Sequence, residues 1–259
     1  MDLLAQHKAL KDRIRAGDAV FGTFVKTPAV QTVEIVAASG VDFIALDAEH
    51  APFDLAALDR CILAARDLPV LVRVPDAKSE MVLQVLDLGA AGIIVPHICS
   101  PEDAKQAVGA TRYRDGTRGF SPSGRSGGYG AMSMADYRTA SDDSVIVIGQ
   151  IEDAEAIDRI NDIAAVEALD ALLIGRADLA VSLGVDTIGD SAVADAVDMV
   201  CTAAQRAGRP NGIFLPNTQG VECFREKGVA LFIIGTDQSL LKNAIGAITA
   251  QARADLGNR

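Results

Sequence analysis

The sequence repeats one local pattern, in which a short apolar run of strand length is followed by a segment with helical spacing of apolar residues. Several joints between the repeats share a form, a helix end and then Gly or Asp before the next strand, as in 39–42, 90–92, 168–170 and 227–229. Eight strand–helix units follow one another without hairpin turns between strands. The pattern therefore predicts an α/β fold, a (β/α)8 TIM barrel.

The predicted boundaries divide the whole chain among these units. A leading helix covers residues 2–16, and a final helix covers 240–256. The predicted strands are 21–26, 43–47, 69–75, 92–96, 145–150, 171–175, 212–215 and 230–235. Because no change in composition separates one half from the other, we expect a single domain over residues 1–259.

Composition limits the partners and the compartment. A formal net charge of −11 argues against nucleic acid and anionic membrane as partners. The four cysteines show no paired spacing, which is typical of buried thiols in a reducing compartment. No apolar run reaches the length of a membrane span, and the first residues lack a signal-peptide apolar segment. These features predict a cytoplasmic protein.

Polar residues are concentrated where the predicted strands end. The second strand ends abruptly in two acids and a histidine, in the stretch 47–50. Active sites of barrel enzymes lie at the carboxyl ends of the strands. The candidates there are Lys26, Asp47, Glu49, His50, Arg73, Gln150, Glu152 and Asp178.

Glu152 and Asp178 are the candidate metal ligands. Two carboxylates at one barrel mouth repel each other unless they are protonated, paired or bridged by a cation, and hard oxygen ligands suit Mg²⁺ or Mn²⁺. A closed zinc site is disfavoured because the chain has three histidines and no Cys/His cluster. The alternative is that each acid forms a salt bridge with a neighbouring Arg or Lys.

His50 and Arg73 are candidates for proton transfer and anion binding. A carboxylate beside His50 would orient its ring and raise its basicity, whereas a packing or surface histidine is the alternative. Arg73 interrupts an apolar strand, where a cation is rarely buried without an anionic partner. It would bind a substrate carboxylate or an enolate oxygen, or else form a bridge to Asp47 or Glu49.

Three other features are weaker candidates. Lys26 could form a Schiff base, but no neighbour in the sequence looks suited to depress its pKa. His97 lies either in packing or at the rim of the site. The segment 114–134 is rich in Gly, Ser and Arg, as phosphate-binding loops are, but it lacks the G-x-x-x-x-G-K-[ST] motif and does not follow a strand directly. The alternatives are a mobile lid or a subunit contact.

The chain resembles the HpcH/HpaI aldolase family, the metal-dependent class II pyruvate aldolases. The resemblance is carried by Asp47-Ala48-Glu49-His50-Ala51-Pro52, Val72-Arg73-Val74-Pro75, Gln150-Ile151-Glu152 and Ile174-Gly175-Arg176-Ala177-Asp178-Leu179, and it covers nearly the whole chain. It implies reversible cleavage of 4-hydroxy-2-oxo acids to pyruvate, or hydroxypyruvate, and an aldehyde. It also implies a divalent cation (Mg²⁺, Mn²⁺ or Co²⁺) and no organic cofactor.

The resemblance also implies a role for each matching residue. Glu152 and Asp178 would hold the metal, while Gln150 and the backbone around Gly175 and Ala177 would bind the substrate carboxylate. Arg73 would stabilise the enolate. His50 would be the general base, acting through a metal-bound water, and Asp87 would be its catalytic partner. Asp47 and Glu49 would orient water and ligands.

Two features of this chain need separate explanation. Asp87 lies near the end of a predicted helix, at the barrel face opposite the mouth, so a neighbouring subunit would have to bring it to His50. The resemblance implies such an assembly, a hexamer built as a trimer of dimers with an exchanged last helix. The family's usual proline after Gly175 is Arg176 here, which changes the charge of the carboxylate pocket.

Two other functions compete with the aldolase. A citrate-lyase-like enzyme acting on acyl-CoA esters shares the paired acids and the metal, and it would need a basic surface in the segment 112–125 for the CoA phosphates. A barrel without catalytic activity that only binds a metal or metabolite would leave the acids, Arg73 and His50 together by coincidence.

Overall fold

The computed structural model describes residues 3–78 and 80–257 and contains a closed barrel of parallel strands. Each strand pairs with its neighbours in sequence, and β1 pairs with β8 to close the barrel. This confirms the predicted (β/α)8 architecture. The strands are β1 Val20–Val25, β2 Phe43–Asp47, β3 Val70–Arg73, β4 Gly92–Val95, β5 Ile146–Ile151, β6 Ala171–Ile174, β7 Asn211–Leu215 and β8 Val229–Thr236.

Helices surround the barrel. Two of them begin with a side-chain cap of the residue types that favour helix starts, because Asp54 accepts a hydrogen bond from the Ala57 amide and Ser100 from the Asp103 amide. The sequence pattern starts one helix at Asp2 and another at Ser79, and both of these residues lie outside the described part of the chain. The helices are α1 Leu3–Ala16, α2 Val30–Ala37, α3 Leu55–Ala64, α4 Glu80–Asp87, α5 Pro101–Thr111, α6 Met134–Ser144, α7 Ala154–Asp158, α8 Ile160–Ala164, α9 Arg176–Ser182, α10 Ser191–Arg206, α11 Val221–Glu226 and α12 Asp237–Gly257.

The alternation of strand side chains delivers polar groups to the mouth. Side chains that point into the barrel form one apolar cluster, which includes Phe43 and Ala45 of β2 and Ile146 and Ile148 of β5. Along each strand every second side chain points inwards, so the next inward positions are Asp47 on β2 and Gln150 on β5. The barrel interior is thus apolar until its carboxyl end, where the same inward positions become polar.

Helix α1 closes the opposite end of the barrel. Leu10 and Ile14 of this helix belong to the apolar cluster inside the barrel. Beside them, the Lys11 amine donates a hydrogen bond to the Val145 carbonyl and lies 3.6 Å from a carboxylate oxygen of the fully buried Asp170. Helix α1 therefore closes the amino end of the barrel, and the charge of Asp170 is balanced there by Lys11.

The Gly-rich segment lies at that same amino end. It starts where α5 ends and returns through α6 to the start of β5, and it contains a short 3₁₀ turn, Arg125–Gly130. Arg125 donates a hydrogen bond to the Leu88 carbonyl at the end of α4, and Ser126 and Tyr137 share another. Within one chain the segment does not cover the mouth, so the mobile-lid alternative loses its support.

The structure adds helices that periodicity did not predict. Helices α6 and α9 were absent from the predicted pattern, and the single predicted helix after β5 is two short helices, α7 and α8. The final helix α12 has no buried side chain, although it carries apolar residues such as Leu241, Ile245 and Ile248. Across the described residues, every helix is too short or too polar to cross a membrane.

Candidate active site

Asp47 and Arg73 form a buried ion pair at the mouth. The parallel register places them side by side at the ends of β2 and β3. The guanidinium binds the carboxylate in a fork, with Nε 3.0 Å from Oδ1 and a terminal nitrogen 2.7 Å from Oδ2. Burial opposes ionisation of Asp47, but these hydrogen bonds and the charge of Arg73 outweigh it and hold the pKa below its ordinary value. The bridge to Asp47 predicted as one alternative for Arg73 is therefore present.

Glu49 connects this pair to two histidines. Its Oε2 lies 3.2 Å from Arg73 Nε and 3.7 Å from His50 Nε2, and its Oε1 lies 3.8 Å from His97 Nε2. Burial raises the pKa of Glu49, while the positive charge of Arg73 opposes the rise. The His50 backbone amide donates to Asp47 Oδ1 at 3.1 Å, which fixes the loop that carries the imidazole. His50 itself is exposed to solvent.

Glu152 is almost fully buried and receives only neutral donors. The His97 amide donates to its Oε1 at 3.1 Å, and the Gln150 side-chain amide donates to its Oε2. Burial raises the pKa of Glu152, and the nearby negative charge of Asp178 adds to the rise. Its Oε1 also lies 3.7 Å from Nδ1 of His97, an imidazole that is closer to Asp153, at 2.9 Å. Within the described residues, neither Lys nor Arg pairs with Glu152, so the predicted salt bridge to a neighbouring Arg or Lys is not formed.

The mouth contains a cavity of about 160 Å³. Most predicted site residues line it, and the shared list is Lys26, Asp47, His50, Arg73, Gln150, Gly175, Ala177 and Asp178, joined by Phe24, Phe214 and Arg176. Glu152 lies just behind the wall, because a Cβ added to Gly175 would stand 2.8 Å from its Oε2. Glycine at 175 thus lets the backbone approach this carboxylate closely.

The donor set fits a hard divalent cation. Ligand atoms of Glu49, His97 and Glu152 all lie within 4.8 Å of one another. Gln150 Oε1 is buried without a hydrogen-bond donor within the described part of the chain, and Glu49 Oε2 forms an ion pair with Arg73 but no hydrogen bond. Oxygen-rich groups with unmet valences beside a buried carboxylate are what Mg²⁺ or Mn²⁺ takes.

Comparison with known proteins decides the family. The profile of the HpcH/HpaI aldolase/citrate lyase family matches residues 21–244. The chain belongs to this family. The match runs from β1 into α12 and therefore includes every strand end that contributes to the cavity.

Two curated relatives and one solved structure illustrate the likeness. The hydroxypyruvate/pyruvate aldolase of Paraburkholderia phytofirmans is 34% identical, covering 88% of this chain and 91% of that protein. The 5-keto-4-deoxy-D-glucarate aldolase of Escherichia coli is 31% identical, covering 82% and 84%. A crystal structure of a family member from Burkholderia cenocepacia J2315 superposes with a TM-score of 0.90 at 32% identity, covering 95% of this chain and 99% of the other.

Asp87 is the predicted catalytic residue that the single chain does not bring to the cavity. It ends α4 at the amino end of the barrel, where Arg118 donates a hydrogen bond to its carboxylate at 2.8 Å. The helix direction explains this, since α4 runs from the mouth back to the start of β4. Its pairing with His50 of another subunit stays a prediction.

His97 is the site residue that the sequence left undecided. It follows β4 with a positive φ of 54°. Its Nδ1 lies 2.9 Å from Asp153 Oδ2, a contact that raises the pKa of the imidazole. The signal in the sequence was its position directly after Pro96 at a strand end, and the backbone conformation that turns it towards Glu49 was not visible there.

Proposed function

We propose that this chain is a divalent-metal-dependent aldolase that cleaves 4-hydroxy-2-oxo acids to pyruvate, or hydroxypyruvate, and an aldehyde. The observation that carries the proposal is a buried carboxylate, Glu152, which pairs with neither Lys nor Arg among the described residues and lies behind a cavity wall next to His50, Arg73 and Asp178. Membership of the HpcH/HpaI aldolase/citrate lyase family and the similarity to a hydroxypyruvate/pyruvate aldolase support it.

Glu152 and Asp178 would hold the cation, with Glu49 and His97 as further donors, since their ligand atoms lie within 4.8 Å of that of Glu152. A divalent ion bound there would polarise the keto group of the substrate and stabilise the charge that develops on its oxygen. Gln150 and the backbone at Gly175 and Ala177 would orient the substrate carboxylate. Arg73, held by Asp47, would present its charge to the enolate oxygen.

His50 would transfer the proton. In cleavage, the 4-hydroxyl loses its proton to His50, the C3–C4 bond breaks, and its electron pair forms the enolate of pyruvate as the aldehyde leaves. The imidazolium then returns this proton to C3 of the enolate, which gives pyruvate. In synthesis the steps run in reverse, so the imidazole removes the C3 proton of pyruvate and later protonates the new 4-hydroxyl. Its exposed position lets it exchange protons with solvent.

Exchange of the pyruvate methyl protons tests this chemistry without an aldehyde. Enzyme loaded with Mg²⁺ and incubated with pyruvate in D₂O should show loss of the methyl signal by proton NMR. EDTA should stop the exchange and added Mg²⁺ should restore it. Exchange that persists after exhaustive chelation, together with trapping by borohydride, would instead assign the chemistry to Lys26.

Replacing the proposed base, His50, tests the same exchange reaction through a side chain. His50→Ala should lower the exchange rate by about 10²- to 10⁴-fold, as expected for a lost general base. The fold should be unaffected because the side chain is exposed. Unchanged exchange in this variant would remove His50 from the mechanism.

The citrate-lyase-like alternative finds little support in the segment 112–125. Arg118 is buried against Asp87 and Tyr113, and Arg125 pairs with Asp59. Both lie at the amino end of the barrel, so within one chain they offer no free basic surface at the mouth. Comparing pyruvate plus glycolaldehyde with acetyl-CoA plus glyoxylate as substrates would separate the two activities.

The assembly also remains a proposal. We infer a homo-oligomer, a hexamer with an exchanged α12, and the support is that this helix exposes Leu241, Ile245 and Ile248 along its length. Such a row of apolar side chains on a helix with no buried residue is typical of an interface. A neighbouring subunit is also what the pairing of Asp87 with His50 requires.

A further inference from the structure

One cation in the cavity wall differs from the others in having no anionic partner. Three basic side chains line the cavity, Lys26, Arg73 and Arg176. Lys26 and Arg73 both pair with Asp47, at 3.3 Å and 2.7 Å. Arg176, the first residue of α9, makes no side-chain hydrogen bond or ion pair with any residue that the structure describes, and its Nε is buried without an acceptor.

An unpaired guanidinium in a partly closed site is costly. Arginine keeps its charge under all physiological conditions, so desolvation is not relieved by loss of a proton. A charge held in this way is stabilised when an anion enters the cavity.

The guanidinium is nevertheless held in one place. Its Cζ lies 5.2 Å from the centre of the Phe224 ring on α11. A cation over an aromatic face is attracted to it, and the N–H groups in the guanidinium plane stay free to donate. Arg176 is therefore positioned by an apolar neighbour that leaves its hydrogen-bonding capacity unused.

The part of the substrate that Arg176 meets follows from the other polar groups. In the proposed function, Gln150 and the backbone of Gly175 and Ala177 bind the carboxylate of the 2-oxo acid, and Arg73 faces the enolate oxygen. The remaining reactant is the aldehyde. We propose that Arg176 binds a carboxylate on the acceptor aldehyde, and that this residue makes the enzyme selective for anionic over neutral aldehydes.

The inference rests on the proposed aldolase activity, and two pairs of size-matched aldehydes test it. Glyoxylate and succinic semialdehyde carry a carboxylate, whereas glycolaldehyde and butanal do not. At saturating pyruvate and with Mg²⁺, kcat/KM for an anionic aldehyde should exceed that for its neutral counterpart in at least one pair. In Arg176→Gln this preference should fall by about 10- to 100-fold, as expected for a lost charge-assisted hydrogen bond.

Two further variants separate selectivity from general charge or stability. Arg176→Lys keeps the charge but loses the fork, so it should recover part of the preference. Arg66→Gln removes an exposed arginine far from the cavity and should leave the preference as in the wild type. Melting temperatures of the variants identify any loss that comes from unfolding.

The outcomes distinguish this inference from the activity beneath it. Wild-type enzyme that exchanges pyruvate methyl protons but shows no preference within either aldehyde pair would overturn the role of Arg176 alone. An Arg176→Gln variant whose main defect is a higher KM for pyruvate would also overturn it, because the guanidinium would then bind the donor. Absence of methyl exchange in the wild type would instead overturn the proposed function.

Discussion

Both ends of the barrel bury a carboxylate, and the two ends surround it differently. At the amino end, the Asp170 carboxylate forms ion pairs with the Arg15 guanidinium at 2.7 Å and the Lys11 amine at 3.6 Å. It also accepts a hydrogen bond from the Val147 amide at 2.8 Å. At the mouth, the Glu152 carboxylate accepts hydrogen bonds from two neutral amides, and the negatively charged Asp178 is nearby. Asp170 is thus neutralised within the chain, as Asp47 is by Arg73 at the mouth, whereas Glu152 has neither Lys nor Arg as a partner among the described residues.

The difference separates a structural acid from one that can hold a ligand. A buried carboxylate whose lone pairs are met by cations and amides has no need of an external group. A buried carboxylate with a raised pKa and a like charge nearby gains most from an added dication. His97 lies close enough to contribute, but its Nδ1 is already held by Asp153.

Exchanging the mouth acid for an amide should produce the largest effect on activity. Glu152→Gln removes the charge common to the predicted metal pair and to the Glu49–His97 cluster. Aldol cleavage should fall by more than about 100-fold, since changes to residues that merely orient metal ligands already cost about 10- to 100-fold. The free energy of unfolding of this variant should not fall, because the substitution removes the cost of burying a charge and, to a smaller extent, the repulsion from Asp178. Steady-state rates and urea unfolding measure the two effects.

A matched control for that variant is Glu155→Gln, a neutralised exposed acid three residues along the chain. It should change neither quantity. If Glu152→Gln retained wild-type activity, or lost stability as a paired acid would, the contrast between the two ends of the barrel would not hold.

The acid at the amino end should behave in the opposite way. Asp170→Asn leaves the buried Lys11 and the exposed Arg15 without their shared anion, and breaking a buried pair such as Lys11–Asp170 costs about 3–5 kcal/mol of the free energy of unfolding. Its specific activity in the folded state should stay near wild type. Urea unfolding is compared with that of Asp12→Asn, which breaks the exposed pair with Lys8 and should cost less than about 1 kcal/mol. Equal losses would contradict the structural role of Asp170.

Lys11 gives the smallest of the expected effects, a change in pH dependence. Burial lowers the pKa of Lys11 from 10.5 to about 8 in the folded protein. Between these two values the unfolded chain binds more protons, so the Lys11 contribution makes the free energy of unfolding rise with pH. Lys11→Met should remove this rise, of order 3 kcal/mol at most, from pH 8 to 10.5. The exposed Lys8→Met is the control, and identical pH profiles for both variants would contradict the assignment.

The sequence predicted the barrel because the relevant information is local. Each strand is a continuous apolar run, and neighbouring strands in the barrel are neighbours in the chain. Helix α9 was missed because it has seven residues and buries only Leu179 and Ala180, too few for a period to be visible. Helix α6 is mostly polar, and its cap at Ser133 was the one local signal.

The site was partly predictable for the same reason. Strand ends converge in a barrel, so the cavity residues Asp47, Arg73 and Gln150 followed from position alone. The contact of His97 with Glu49 depends on a left-handed backbone residue, and that of Asp87 with Arg118 depends on the path of a long loop. The spacing of residues in the sequence predicts neither of these two contacts.

Binding of Mn²⁺ followed by electron paramagnetic resonance tests the central claim most directly, since free and bound ions give different signals. Wild-type protein and Asp170→Asn should each bind the ion, whereas Glu152→Gln should bind it far more weakly. Comparing Asp178→Asn with His97→Gln would then show which second group completes the site. Binding that is absent in the wild type, or unchanged in Glu152→Gln, would contradict a cation site at this buried carboxylate.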